Sequence, residues 1–219
     1  GSNPERSQFP IEAYHTVAQD AHRMGKKVAV HVHGLEGIRN AVSAGIDTLE
    51  HCSWRGNGTI QYDQEVVKSI VDKGLFVSLA MPATWYRLRA SEMIDVRQHP
   101  EQLWEARYPT ISAMHESGVK LVTSSDTGST GTEIDQMHLL MTFLATKIGL
   151  PLKDIIHSTT GLAAEALGLD HQIGTIKPGK IADLLVVDGN PLNDISILGR
   201  VYQVYKSGKL MVSDGALVI

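Results

Sequence analysis

The sequence is poor in cysteine, in long apolar runs and in clustered basic residues. Cys52 is the single cysteine of 219 residues, which excludes an internal disulfide and fits a reducing compartment such as the cytoplasm. No apolar run is long enough to span a bilayer. The net charge is -4 and the basic residues are scattered, so nucleic acid and acidic membranes are not expected partners.

The start of the chain leaves the compartment open. The opening "GSNPERSQFP" is typical of a loop and is no secretion signal, but an upstream segment could carry one. A secreted or periplasmic protein without disulfides would have the same composition.

What the sequence does contain is a β-α-β pattern that ends in histidines. The Val-rich stretch from Lys27 to His33 alternates like a strand, and a helix-forming segment follows it to Gly45. A second apolar run then ends at His51. We expect two parallel neighbouring strands whose carboxyl ends bring His31 or His33 towards His51.

The alternation of helices and strands continues to about residue 168. Two further predicted strands are "LFVSLAMP" and "VKLVTSSD", and the second ends at Asp126. From residue 169 on, short β-rich runs are separated by Pro-Gly and Ser-Gly turns. We therefore predict an α/β domain over 1–168 and part of a small antiparallel sheet domain over 169–219.

Histidines and an aspartate at strand ends suit a metal site. In parallel α/β barrels the active site collects at the carboxyl ends of the strands. Two imidazoles and a carboxylate are suitable ligands for Zn²⁺ or a similar ion, and the carboxylate can also act as a base. For each residue alone, packing is the simpler interpretation, and Asp126 could instead cap the strand end through amides of "TGST".

Three segments resemble the C-terminal half of the amidohydrolase superfamily, in order and spacing. They are "VAVHVHGLEGIRNAVSAGIDTLEHCS", "VTSSDTG" and "IGTIKPGKIADLLVVDGNPL". The resemblance is nearest to the imidazolonepropionase-like and metal-dependent Xaa-Pro dipeptidase branch. It implies half of a (β/α)₈ TIM barrel and part of a β-sandwich. It also implies metal ligation by His31, His51 and Asp126, with His33 contacting the substrate.

The sequence also departs from the family's pattern. The His-x-His pair of the first barrel strand and the carboxylated lysine of the fourth are both missing, so the remaining ligands of one or two divalent ions would lie outside this chain. We expect an N-terminal half of the barrel as a partner, from the same precursor or a second chain, and an oligomeric assembly.

The resemblance implies a hydrolase that cleaves a C–N bond in a small amide or peptide-like substrate. Asp126 would accept the proton of the attacking water and deliver it to the departing nitrogen, and His33 or the metal ion itself would stabilise the oxyanion. Tyr86, Arg87 and Arg89 could bind the substrate or form a solvated face. Two rivals remain, a non-catalytic remnant or assembly subunit and a nucleotide-binding enzyme, although the chain lacks a P-loop lysine and a G-x-G-x-x-G motif.

Overall fold

The computed structural model describes residues 3–81, 105–128 and 134–218. These residues form two compact units, the first ending at Ser124 and the second beginning at Ser125. None of the helices in the described ranges has both the length and the apolar character needed to cross a membrane.

The first unit is a sheet covered by helices. Its strands are β1 (Ala29–Gly34), β2 (Thr48–Gly56), β3 (Thr59–Ile60), β4 (Phe76–Ser78) and β5 (Lys120–Val122). Its helices are α1 (Ile11–Arg23), α2 (Leu35–Ala44), α3 (Gln64–Asp72) and α4 (Tyr108–Glu116). The sheet order is β1-β2-β4-β5, with all three of these pairs parallel and β3 antiparallel to β2. The predicted β-α-β unit is confirmed.

The core of this unit is formed by the apolar faces that the sequence pattern predicts. Ile38 of α2 and Ile70 of α3 are fully buried, as are Leu49 of β2 and Val77 of β4. Helix α2 ends where Gly45 takes a left-handed conformation, φ 75°, which glycine adopts without strain. The chain is thereby turned directly into β2.

Two strands differ from the prediction. The last strand of the parallel sheet ends at Val122 instead of Asp126, although backbone contacts with the segment after β4 continue to Ser124, whose carbonyl accepts from the Met81 amide at 3.0 Å. Ser124 Oγ also bonds Ser78 Oγ at 2.6 Å and accepts from the Ala80 amide at 2.9 Å. Strand β2 is longer than predicted because it runs on past His51 with a shifted register: Val32 pairs with His51, but Gly34 pairs with Arg55.

The second unit combines helices with an antiparallel sheet. The helices are α5 (Met137–Phe143), α6 (Leu152–Thr159) and α7 (Gly161–Leu167), with a π-helical turn Leu144–Ile148 after α5. The strands are β6 (Leu184–Val187), β7 (Val201–Lys206), β8 (Lys209–Ser213) and β9 (Ala216–Leu217), paired in chain order. The predicted antiparallel sheet is confirmed. The boundary between 168 and 169 stays a prediction.

Candidate metal centre

Three histidine rings meet where β1 and β2 lie side by side. His31 and His33 are two residues apart on β1 and share a face of the strand, while His51 is the register partner of Val32 between them. The ring centroids are 4.7 Å apart for His31 and His33, 4.6 Å for His31 and His51, and 4.5 Å for His33 and His51. Among the described residues, these three form the one group of potential metal ligands.

The geometry of this cluster suits a small divalent ion. One ligand atom from each ring lies within 4.8 Å of the other two. A tetrahedral ion with bonds of about 2.0–2.1 Å to nitrogen places its ligand atoms roughly 3.3 Å apart. The three ligand atoms are thus already close to the separation that one shared ion requires.

Neighbouring groups orient two of the rings. His51 Nδ1 lies 3.1 Å from the Ala80 carbonyl oxygen. A carbonyl oxygen can only accept a hydrogen bond, so Nδ1 carries the proton and donates. Nε2 of His51 is then the unprotonated nitrogen, as in metal-binding histidines whose other nitrogen is held by a carbonyl. His33 Nδ1 shares a hydrogen bond of 2.8 Å with Ser53 Oγ.

The surroundings of His33 favour its neutral imidazole form. Burial and, to a smaller extent, the neighbouring charges of His51, Arg55, His31 and Arg107 together lower the pKa of His33 to about 3. At neutral pH the ring of His33 therefore carries no charge.

The backbone around His51 is held in an unusual conformation. His51 has φ 66° and Cys52 φ 44°, both in the left-handed region that non-glycine residues rarely adopt. Arg107 is almost fully buried and donates hydrogen bonds to the carbonyl oxygens of His51 and, at 3.0 Å, Leu79. This guanidinium thus connects the backbone of β2 with the residue that follows β4.

Arg107 was missed by the sequence analysis. It lies in a segment predicted to be helical, and helical periodicity assigns an arginine to the solvent face. Burial lowers the pKa of Arg107 to about 10, so it stays protonated at neutral pH. No signal in the sequence marks it.

The other predicted site residues have different outcomes. Asp126 is exposed, has φ 52° and belongs to the second unit, so its role as ligand and base stays a prediction. Tyr86, Arg87 and Arg89 lie outside the described residues. Cys52 is fully buried, as expected for a packing residue, and burial raises the pKa of its thiol to about 12.

Known proteins resemble this chain over almost its whole length. Residues 1–211 match the sequence profile of the amidohydrolase family. The ochratoxinase of Aspergillus niger is 26% identical over 97% of this chain and 44% of its own length. An imidazolonepropionase of Sphingopyxis alaskensis is 27% identical over 92% of this chain and 46% of its own length. The chain thus spans about half the length of the curated relatives it matches.

A solved structure gives the same result for the fold. A Xaa-Pro dipeptidase with methionine bound in its active site has a TM-score of 0.80 and 30% identity, covering 94% of this chain and 50% of that one. The predicted fold class is confirmed: the second half of a (β/α)₈ barrel with part of a β-sandwich. From the family match and this likeness together, we conclude that the chain belongs to the amidohydrolase family.

Proposed function

We propose that this chain supplies part of the active site of a metal-dependent hydrolase that cleaves a C–N bond. The observation that carries the proposal is the meeting of three imidazoles on the neighbouring parallel strands β1 and β2. The relatives named ochratoxinase, imidazolonepropionase and Xaa-Pro dipeptidase support a hydrolase acting on a small molecule.

His31 and His51 would hold the ion, and zinc is the ion we propose because imidazole nitrogen is among its usual ligands. The bound ion would supply Lewis acidity, which makes water a nucleophile near neutral pH. The contact between His51 Nδ1 and Ala80 fixes the ring so that Nε2 is presented to the ion. The remaining ligands would come from outside this chain.

His33 and Asp126 would act on the substrate. If the Ser53 hydroxyl donates to Nδ1 of His33, the Nε2–H is left to donate to the oxygen that becomes negative during attack on the carbonyl. The exposed carboxylate of Asp126 would take the proton from water and deliver it to the departing nitrogen. We propose a peptide-like amide as substrate, with Tyr86, Arg87 and Arg89 as further candidate contacts.

The experiment replaces each residue in the complete protein that carries this chain, and measures metal content and hydrolysis of an amide panel. His31→Ala and His51→Ala should each lose most of the bound metal. His33→Ala should keep the metal but lower kcat. Asp126→Asn should lower kcat by about 10²–10⁴-fold, the usual contribution of a general acid-base group.

Two histidines away from the cluster serve as matched controls. His22, which pairs with Asp47 at 2.8 Å on the surface, and His157 of α6 should tolerate alanine with metal and turnover nearly unchanged. Because ligands act through the shared ion, His31→Ala and His51→Ala combined should lose little more than either alone. Equal losses in all the histidine variants would refute the site, and a metal-free wild-type protein would favour a non-catalytic remnant.

A further inference from the structure

Two serine side chains form a pair at the ends of β4 and β5. Ser78 is the last residue of β4 and is buried, and Ser124 lies two residues beyond the end of β5. Their Oγ atoms are 2.6 Å apart, so one hydroxyl donates to the other. The Ser124 Oγ also accepts a hydrogen bond of 2.9 Å from the amide of Ala80, a residue that is 5% exposed. Ser124 thus supplies the acceptor for an amide that has little access to water.

Ala80 has a backbone conformation that lets it bond in two directions. Its φ is 40°, in the left-handed region that non-glycine residues rarely adopt. In a regular strand, the amide and the carbonyl of one residue face the same neighbouring strand. Here the amide bonds Ser124 beyond β5, whereas the carbonyl contacts Nδ1 of His51 on β2, and β2 and β5 flank β4 on opposite sides. Ala80 therefore connects the serine pair with one histidine of the cluster.

The residues before and after Ala80 are held against the same neighbour. The Leu79 amide donates to the Val122 carbonyl at 2.9 Å, and the Met81 amide donates to the Ser124 carbonyl at 3.0 Å. With both neighbours held, the direction of the Ala80 carbonyl depends on the contacts of Ala80 itself. A left-handed non-glycine residue persists only when such contacts enforce it, and the Ser124 hydroxyl is the contact on the amide side.

We propose that Ser124 is a positioning residue for the metal centre, which sets the tautomer of His51 through Ala80. This inference rests on the proposed function, in which His51 presents Nε2 to the ion. The Ala80 carbonyl keeps the proton on Nδ1 only while it points at the ring. Ser124 holds the amide of the same residue and thereby keeps the carbonyl in that direction. Ser78 supports Ser124 by sharing a hydrogen bond with its hydroxyl.

The tautomer of His51 can be read directly by NMR in the metal-free, complete protein that carries this chain. Long-range ¹⁵N–¹H spectra of ¹⁵N-histidine distinguish the Nδ1–H, Nε2–H and charged rings, and His51→Gln assigns the signal. At a pH where these spectra show a neutral ring, wild-type His51 should be the Nδ1–H tautomer. In Ser124→Ala it should become a mixture of both tautomers, because the Ala80 amide loses its buried acceptor and the carbonyl is no longer held.

The metal Kd, obtained by chelator competition, is the second readout. Ser124→Ala should raise the Kd about tenfold, at the lower end of the 10–100-fold loss that follows removal of a group supporting a ligand. Ser124→Thr keeps a hydroxyl at this position and should restore both the tautomer and the Kd. Ser78→Ala leaves the acceptor on Ser124 in place, so it should change both readouts less than Ser124→Ala does.

Ser69→Ala is the matched control, because the Ser69 hydroxyl donates to the Glu65 carbonyl within helix α3 at 3.0 Å. It removes a serine hydroxyl away from the histidines and should leave the tautomer and the Kd unchanged. Urea denaturation gives the stability of each variant. If Ser124→Ala lowered the unfolding midpoint but kept the wild-type tautomer and Kd, the inference would be overturned and Ser124 would be a packing residue.

The two readouts also separate this inference from the proposed function. A complete protein that binds no metal, but whose His51 tautomer depends on Ser124, would support the positioning of the ring and reject the metal-dependent hydrolase. A wild-type His51 in the Nε2–H tautomer would overturn the inference. A protein that binds metal and hydrolyses amides equally well with Ser124→Ala would also overturn it, and would leave the hydrolase standing.

Discussion

At the scale of single residues, the backbone of His51 shows how the cluster is held. A non-glycine residue in the left-handed region costs on the order of 1–3 kcal/mol and persists only when its surroundings enforce it. Two contacts do so here: the ring of His51 donates to Ala80, and its carbonyl accepts from Arg107. The left-handed backbone of His51 is therefore held by its ring contact with Ala80 and by the buried guanidinium of Arg107 together.

Removing Arg107 should weaken metal binding more than surface substitutions do. In Arg107→Met the carbonyls of His51 and Leu79 lose a buried donor, so the backbone that positions the ring of His51 is held less firmly. We expect a 10–100-fold rise in the metal Kd, the usual loss when a group that supports a ligand is removed. Chelator competition gives the Kd, and urea denaturation gives the stability of the same variant.

Arg107→Lys is the informative companion, because a lysine can donate to one of the two carbonyls and should recover part of the affinity. If Arg107→Met lowered the unfolding midpoint but left the metal Kd unchanged, Arg107 would be a packing residue with no role in positioning His51.

At the scale of elements, helix α3 depends on its N-terminal cap. Asp63 accepts hydrogen bonds from the amides of Glu65 at 3.0 Å and Val66 at 3.2 Å, and it also pairs with Arg39. Asp63→Ala should lower the unfolding free energy by about 1 kcal/mol, whereas Asp63→Asn should keep most of the cap. Hydrogen exchange of the α3 amides should be slowest in the wild type, somewhat faster in Asp63→Asn and fastest in Asp63→Ala.

The contribution of Asp63 should also depend on pH. The hydrogen bond from Arg39 and those from the backbone hold the pKa of Asp63 below its ordinary value of about 3.9. A depressed pKa means that the stabilisation is present above the unfolded-state pKa and is lost as the pH falls through the folded-state pKa. The difference between wild type and Asp63→Ala should therefore shrink below about pH 4, and a constant difference down to pH 2 would contradict this account.

The elements also show what could be foreseen from the sequence. Alternation in "VAVHVH" was enough to predict β1, its parallel partner and the approach of His31 or His33 to His51, because periodicity is a local property. The register shift after Val32, the left-handed residues of β2 and the burial of Arg107 depend on contacts distant in sequence.

At the scale of the whole molecule, the parallel sheet of the described residues has an edge strand on each side. Among the described residues, β1 pairs only with β2 and β5 only with β4. Strand edges with unpaired backbone groups favour association with another chain. We propose that a further part of the barrel covers these edges.

Residues 1–219 expressed alone should therefore be oligomeric or poorly soluble, bind metal weakly and hydrolyse no amide. Co-expression with a chain that carries the first four barrel strands should restore metal content and activity, because it pairs the edges and completes the ligand set. Size-exclusion chromatography, metal analysis and the amide panel measure the outcome. A monomer that binds metal stoichiometrically without a partner would contradict this expectation.

The buried thiol beside His51 gives the molecule a built-in reporter of opening. Cys52 is the sole cysteine, it is fully inaccessible, and its pKa of about 12 keeps it protonated and unreactive. An alkylating reagent can therefore modify the chain only when the strands around the histidines separate. The rate of a single mass increase on the intact protein would then measure how often the cluster opens, and how far metal, ligand or a partner chain keeps it closed.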